Sequence, residues 1–445
     1  MRWALVLGAL LLAACPGRLT REELYDPASC GECHQEHLDQ WQASMHAYAA
    51  EDPVFLAMNA RGQEETNGEL GSFCVQCHAP IGVALGLVED GIELDDVPDY
   101  AKGVNCAFCH LAAHVEGDSN NPIELDTANV LKGPFDDPTS SPAHRAEYSP
   151  HLDRSQRESS QLCGSCHDIV LDNGVHLEQT FAEWGETVFA DDATLTNCGN
   201  CHMLTVGPEG ARQNRSPRAV ADYDGVPARD FHDHRMPGID VAVTPWFAED
   251  EMLGLVQDFL KSSVRSQICV NPLAGGFQLV VGLENVSAGH SFPSGSSQDR
   301  RVWVQLQAED AQGVFWERGV VADGTPAVDV DQGILLRDRT MNAAGEDVHM
   351  FWEVEQVERD VLAGIRQFGI EETRVWSFED VQGRQPERVT LRIFERPIGL
   401  DVLDDLIGTG HLDPAIRDAM PTHELTNAAL TWQGALGSCV SSDAQ

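Results

Sequence analysis

Cys30-Gly-Glu-Cys33-His34, Cys74-Val-Gln-Cys77-His78, Cys106-Ala-Phe-Cys109-His110, Cys163-Gly-Ser-Cys166-His167 and Cys198-Gly-Asn-Cys201-His202 repeat one spacing five times. Two thiols three residues apart, followed at once by an imidazole, form the attachment signature of a c-type haem. The sulfurs take up the porphyrin vinyl groups as thioethers and the histidine becomes the proximal iron ligand. C-x-x-C alone also serves zinc sites and thioredoxin-like redox pairs. With 13 Cys and 17 His in 445 residues, chance supplies on the order of 0.01 such strings. Five copies therefore predict five covalent haem c groups held by Cys30, Cys33, Cys74, Cys77, Cys106, Cys109, Cys163, Cys166, Cys198 and Cys201, with His34, His78, His110, His167 and His202 on iron.

Working outward, the N-terminus sets the compartment. Met1-Arg2 and the apolar run Trp3 to Leu12 read as a leader, and Leu12-Ala13-Ala14-Cys15 places small residues before a cysteine, as at a bacterial lipoprotein cleavage site. The run is about half of what a membrane-spanning helix requires. The expectation is a signal peptide over 1–14 and a lipidated Cys15 that tethers an exported protein to a bacterial membrane, periplasmic or on the outer surface. Simple secretion is the competing reading. Ten cysteines in the motifs and one in the leader leave Cys269 and Cys439, most simply a disulfide in an oxidising compartment.

The chain carries 71 acidic against 29 basic residues, a formal charge of −42. Such a surface disfavours nucleic acid and anionic lipid headgroups, and suits a basic redox partner or plain solubility.

Two unlike parts follow. Residues 15–240 hold every motif, show little strand alternation and are broken by connections such as Glu116-Gly-Asp-Ser-Asn-Asn-Pro122. At about 43 residues per haem there is too little chain for separate apolar cores, so the porphyrins themselves must form the core under short helices. Helices are expected from Cys33 to Ala50 and from Leu177 to Ala190. A connecting helix is expected in 241–265, where Trp246, Phe247, Met252, Leu255, Val256, Phe259 and Leu260 recur at roughly helical spacing. From Ser266 the period changes to two: Phe277, Leu279, Val281 and Leu283, then Val302, Val304 and Leu306, then Val375 with Ser377, then Val389, Leu391 and Ile393. Turn signals at Asp310 to Gly313, Asn342 to Gly345 and Val381 to Gly383 complete an antiparallel β-sandwich over 266–445, with Trp303, Trp316, Trp352 and Trp376 in its core. The fold class is thus multidomain: a mainly helical and irregular, haem-packed N-terminal domain plus a C-terminal β-sandwich.

Further strings carry a resemblance: Trp41-Gln-Ala-Ser44-Met-His46, Gly103-Val-Asn-Cys106, Leu162-Cys163, Thr180-Phe-Ala-Glu183-Trp184, Cys201-His202-Met203 and Ala288-Gly289-His290-Ser291-Phe292-Pro293-Ser294-Gly295. With the motifs they make the chain similar to the multihaem cytochromes related to the tetrahaem cytochrome of ammonia oxidation and to hydroxylamine oxidoreductase. The resemblance implies electron transfer through closely stacked haems, most with two histidines on iron, and implies His46 as a distal ligand. A fifth haem and a large appended domain set the chain apart from the tetrahaem carrier, and three fewer haems set it apart from the octahaem oxidoreductase.

Twelve histidines lie outside the motifs, so supply does not limit two-histidine ligation. Besides His46, the candidates are His114, His234, His290 reaching across from the β-part, and His151, with which His144 and His176 compete. An iron lacking a second histidine would be open to a small ligand, or could take a methionine such as Met45 or Met203. Two functions stay open: a membrane-tethered pentahaem electron-transfer cytochrome, or an oxidoreductase for a small nitrogen or sulfur compound at one open haem. No C-x-x-C-K variant and no Gly-x-Ser-x-Gly elbow occur. Asp323, Asp329 and Asp331 form no regular EF-type calcium loop.

Overall fold

The computed structural model describes residues 17–206, 212–213, 217–327, 333–367 and 372–442; the leader, Cys15, Asp329 and Asp331 lie outside them. Its first half is built from short helices with local start signals. Asp26 and Asp52 cap helices Pro27–Ala43 and Pro53–Glu65 by accepting from Ala28 N and Val54 N, and each helix has proline in its first turn, where no amide is needed. The expected helix after Cys33 is the second half of Pro27–Ala43, which breaks at His34 (φ −121°, ψ 43°) and is followed by Met45–Tyr48.

Tyr25, Phe55, Val75, Ile81, Val88, Leu94, Val97, Phe108 and Leu111 form one buried apolar cluster around the second and third motifs. This half also contains small strand pairs, which its sequence did not signal, such as Ala112–Val115 with Ile123–Leu125 and Val130–Gly133 with Arg145–Tyr148. The segment Leu177 to Ala190, expected as one helix, is divided. Strand His176–Gln179 pairs with Asp168–Val170, and only Thr180–Gly185 is α-helical. The cause is Asp168, whose carboxylate accepts from Phe181 N and Ala182 N and caps the helix from across the hairpin.

Helix Glu249–Ser263 buries Met252, Leu255, Val256 and Leu260 and runs straight into strand Val264–Leu273. Two antiparallel sheets follow. One has the order Arg374–Asp380, Gly276–Asn285, Val264–Leu273, Ser438–Ser441. The other has the order Gln356–Asp360, Ile334–Met341, Arg301–Asp310, Arg388–Arg396, His423–Glu424, with Gly313–Arg318 and Leu430–Trp432 added at its flanks. Inward residues of both sheets share one core: Ile268, Phe277, Leu279, Val281 and Leu283 from the first, Val302, Val304, Leu306, Ile334, Leu391 and Ile393 from the second. Cys269 and Cys439 are cross-strand partners and form the disulfide, 170 residues apart in sequence.

In strand Arg374–Asp380 the alternation expected of Val375 and Ser377 holds with both turned outward, and Trp376 faces the core as expected. Val375 is 60% exposed while Trp376 and Phe378 pack against the core. In a two-residue period the larger aromatic surface takes the inner face. Trp352, by contrast, leaves the sheet core: it covers Gly62 and donates to Glu65 at the junction of the two halves. There Val54 and Ala57 pack against Leu400, Leu403 and Leu406 of helix Leu400–Gly408.

Candidate metal centres

Each motif forms the last turn of a helix or a helix of a single turn, so its two cysteines, three residues apart, share a face and the histidine follows where the helix ends. Helices Val75–His78, Cys106–His110, Glu158–His167 and Cys198–His202 all end at the histidine, and the first motif meets its helix break there. Local chemistry starts these turns. Asn105 accepts from Phe108 N and donates to Tyr25 O and Tyr100 O, and Asn197 with Asn200 closes a capping box.

The imidazoles are held as metal ligands require, with one ring nitrogen anchored so that the other is aimed. Nδ1 is within hydrogen-bond distance of Val220 O for His34 (2.7 Å), Ala49 O for His78 (2.8 Å), Lys132 O for His110 (2.8 Å) and Pro237 O for His202 (2.8 Å). The same device holds two non-motif histidines, His234 on His232 O (2.8 Å) and His290 on Ser291 O (2.7 Å). Burial lowers His34, His78, His110, His234, His290 and His46, taking His234 and His46 to about 4, so these six are neutral with a lone pair to give.

Four motif histidines face a second histidine. Ring centroids are 6.4 Å apart for His34 and His144, 6.2 Å for His167 and His46, 6.4 Å for His110 and His234, and 6.4 Å for His202 and His290. A metal about 2 Å from each of two ring nitrogens, each nitrogen about 1 Å from its ring centre, sets centroids about 6 Å apart. The spacing fits one iron between each pair. His78 differs: its ring stacks on Phe55 at 3.9 Å and 3°, and among the described residues no histidine stands opposite it.

His46, His234 and His290 thus lie where distal ligands would. His144, which the sequence left among competitors, takes the place opposite His34. His114, expected as a ligand, is instead exposed on strand Ala112–Val115. A bulge between Ala112 and His114 breaks the alternation, so that the strand buries Ala112 and Val115 and leaves His114 outside. His151 is buried, with Nδ1 3.3 Å from Glu158 O, and faces no motif histidine among the described residues. His176 is exposed. No local signal marked His144, because the segment that presents it is placed by the Val130–Gly133 and Arg145–Tyr148 strand pair.

Two long-range constructions position the distal rings. Trp41 Nε1 donates to Val104 O and Val104 N donates to His46 O, both at 2.8 Å, which fixes the Trp41 to His46 segment on Gly103. Gly103 has φ +64°, and a Cβ there would lie 2.7 Å from His46 O. On the other side, Glu183 accepts from Ser291 N (3.1 Å) and Ser294 Oγ (2.6 Å) and pairs with Arg359, while Thr180 Oγ1 accepts from Gly295 N (3.0 Å). Arg300 reinforces the loop, donating to Ser294 O and, bidentate at 3.0 Å, to Asp240. His290 therefore reaches His202 on a loop gripped by the helical half.

Burial pushes Cys74 and Cys109 up to about 12. Cys30 lies beside Cys106, Cys77 beside Cys166 and Cys163 beside Cys198, and Cys109 is close enough to Cys166 to feel its charge. The motifs are thus in contact in the order first, third, fourth, with the second and fifth both on the fourth.

The family of cytochrome c554 and c-prime is matched over residues 29–111, which span the first three motifs. No curated protein matches the chain. A crystal structure of a penta-heme cytochrome c552 from Thermochromatium tepidum superposes with a TM-score of 0.63 at 19% identity, covering 93% of this chain and 98% of that one. The likeness is one of fold along nearly the whole length. The family match covers about a fifth of the chain, and the structural likeness is one of fold alone.

Proposed function

We propose that this chain is a pentahaem cytochrome c that transfers electrons. The single observation that carries the reading is the set of four histidine pairs at 6.2–6.4 Å, each with one member from a C-x-x-C-H turn. When bound, haem c supplies one-electron redox chemistry. The chain's own residues do the rest. Ten cysteines would fix the porphyrins, and His34 with His144, His110 with His234, His167 with His46 and His202 with His290 would hold iron. Backbone carbonyls on Nδ1 keep His34, His110, His202, His234 and His290 oriented, so little rearranges there on reduction. The sulfur contacts lay the centres out as a path from the first through the third to the fourth, with arms to the second and fifth.

The two sheets act as a β-sandwich over residues 266–445 that closes the fifth centre through His290. Domains at 15–240 and 266–445, joined through 241–265, fit this division of labour. Kinship with the cytochromes of ammonia oxidation and hydroxylamine oxidoreductase rests on the strings quoted above. A leader over 1–14 and lipidation of Cys15 would tether the protein to a bacterial membrane; a Cys15→Ala variant recovered in the soluble fraction would support the tether.

A second reading is favoured by the second centre. His78 faces no second histidine among the described residues, and Glu178, pushed up to about 7 by burial, is close enough to Cys77 to raise it further. That constellation suits reduction or oxidation of a small nitrogen or sulfur compound, with Glu178 holding a proton near neutral pH.

Low-temperature electron paramagnetic resonance of the oxidised protein, with haem counted by the pyridine haemochrome assay, tests both. Four low-spin haems and one high-spin haem that binds nitric oxide in the reduced protein are expected. His290→Ala and His144→Ala should each add one high-spin haem, whereas His114→Ala should add none. Five low-spin haems inert to nitric oxide would remove the second reading, and unchanged spectra in both variants would remove the ligand assignment.

A further inference from the structure

Between Arg61 and Lys102 the chain has nine acidic residues and no lysine or arginine, about twice the net negative density of the whole protein. This stretch contains the second motif, and its later half folds back over it. Val88, Leu94 and Val97 point inward and join Val75, Ala79 and Ile81 in one apolar cluster. Gly91 (φ +77°) is seated so closely that a Cβ would lie 2.2 Å from Val75 Cγ1. With those residues turned in, the same segment turns Leu85, Leu87 and Ile92 out, 36%, 44% and 53% exposed. Single exposed aliphatics need no explanation, but three within eight residues do. They account for three of the ten large hydrophobic residues exposed among the described residues. Exposed Glu89, Glu93, Asp95 and Asp96 neighbour them along the same segment, and none of these four is in an ion pair among the described residues.

We propose that Leu85, Leu87 and Ile92, ringed by these carboxylates, form the docking surface for a basic redox protein that exchanges electrons with the second centre. The proposal rests on the electron-transfer reading and adds the partner's chemistry and its place of contact. An apolar spot inside an uncompensated acidic ring complements an apolar spot inside a ring of lysines. The charges steer the encounter, and the small dry centre suits a short-lived complex of the size used by electron carriers. A second copy of this chain would bring like charges together, and an anionic lipid surface is repelled for the same reason.

The test uses the haem-loaded full chain and, as probe, a small basic cytochrome c in zinc-substituted form, whose binding needs no electron transfer. Glu89→Lys/Glu93→Lys/Asp95→Lys should weaken probe binding at low ionic strength by about tenfold or more. Glu317→Lys/Glu355→Lys/Glu387→Lys, the same charge change on the sheets, should change it less than about twofold. Leu87→Ser/Ile92→Ser should weaken binding with the salt dependence retained, since that dependence comes from the carboxylates. With the iron form of the probe, the second-order rate should fall in parallel while reduction by dithionite does not change. Equal weakening by the sheet variant, or no weakening by the first, would overturn the proposal. So would a low-salt dimer that Ile92→Ser dissociates. Binding that obeys the pattern in a protein whose haems refuse electrons would instead overturn the electron-transfer reading and keep the docking site.

Discussion

At the scale of single residues, the rings that matter are those whose burial has been put to use. An imidazole tied at Nδ1 is a ligand in waiting, and among the described residues His34, His78, His110, His202, His234 and His290 are held by backbone carbonyls at 2.7–2.8 Å. A different buried group is a cost to the fold. Glu395 is 2% exposed, its Oε2 has no hydrogen-bond partner, and its cross-strand neighbour His423 has an unpartnered Nε2. Burial pushes the Glu395 carboxyl up to about 7 against the attraction of Arg300. Below the ordinary glutamate value both folded and unfolded states hold the proton. Between about 4.5 and 7 only the folded state holds it, so stability falls as pH rises through that window. Glu395→Gln should therefore raise the melting temperature at pH 8 by the equivalent of about 1–3 kcal/mol and have little effect at pH 4.5. A pH-independent effect in thermal unfolding would show that the carboxyl is ionised throughout.

At the scale of elements, the five motif turns were legible because they are local: three-residue spacing, caps such as Asn105 and a helix end at the histidine all lie within a few positions. The segment Leu177 to Ala190 was not, because Asp168 caps Thr180–Gly185 from a neighbouring strand. The strand Arg374–Asp380 shows that alternation gives the period of a strand but leaves its phase to the bulk of the competing residues. Gly103 makes the point testable. Gly103→Ala combines a left-handed backbone with a contact on His46 O, and so should displace the Met45–Tyr48 turn. The expected result is one low-spin haem becoming high-spin, with the other spectra unchanged; an identical resonance spectrum would mean that His46 is not held by this contact.

At the scale of the whole molecule, the helical half and the sheets are one construction. Glu183 and Thr180 hold the loop that carries His290, and helix Pro53–Glu65 packs on Leu400–Gly408. The disulfide ties the end of the chain to the start of the sheets. Closing about 170 residues, it constrains the unfolded chain by up to about 5 kcal/mol on the entropy estimate. Cys269→Ser/Cys439→Ser should unfold at lower denaturant concentration by the equivalent of about 2–5 kcal/mol, followed by circular dichroism in the β region. Retention of the haem spectrum while the sheets melt would show that the two halves unfold separately.

The sequence by itself determined the number of centres, the residues that attach and face them from the motif side, the helix-then-sheet order and the acidic surface, because each is written in spacing, period or composition. Only the tertiary structure decided which histidine meets which across an iron's width. His144 and His290 reach their partners from about 110 and about 90 residues downstream of the motifs that they face. Such pairings depend on strand registry, a glycine's close approach and one buried carboxylate, and no local pattern records them.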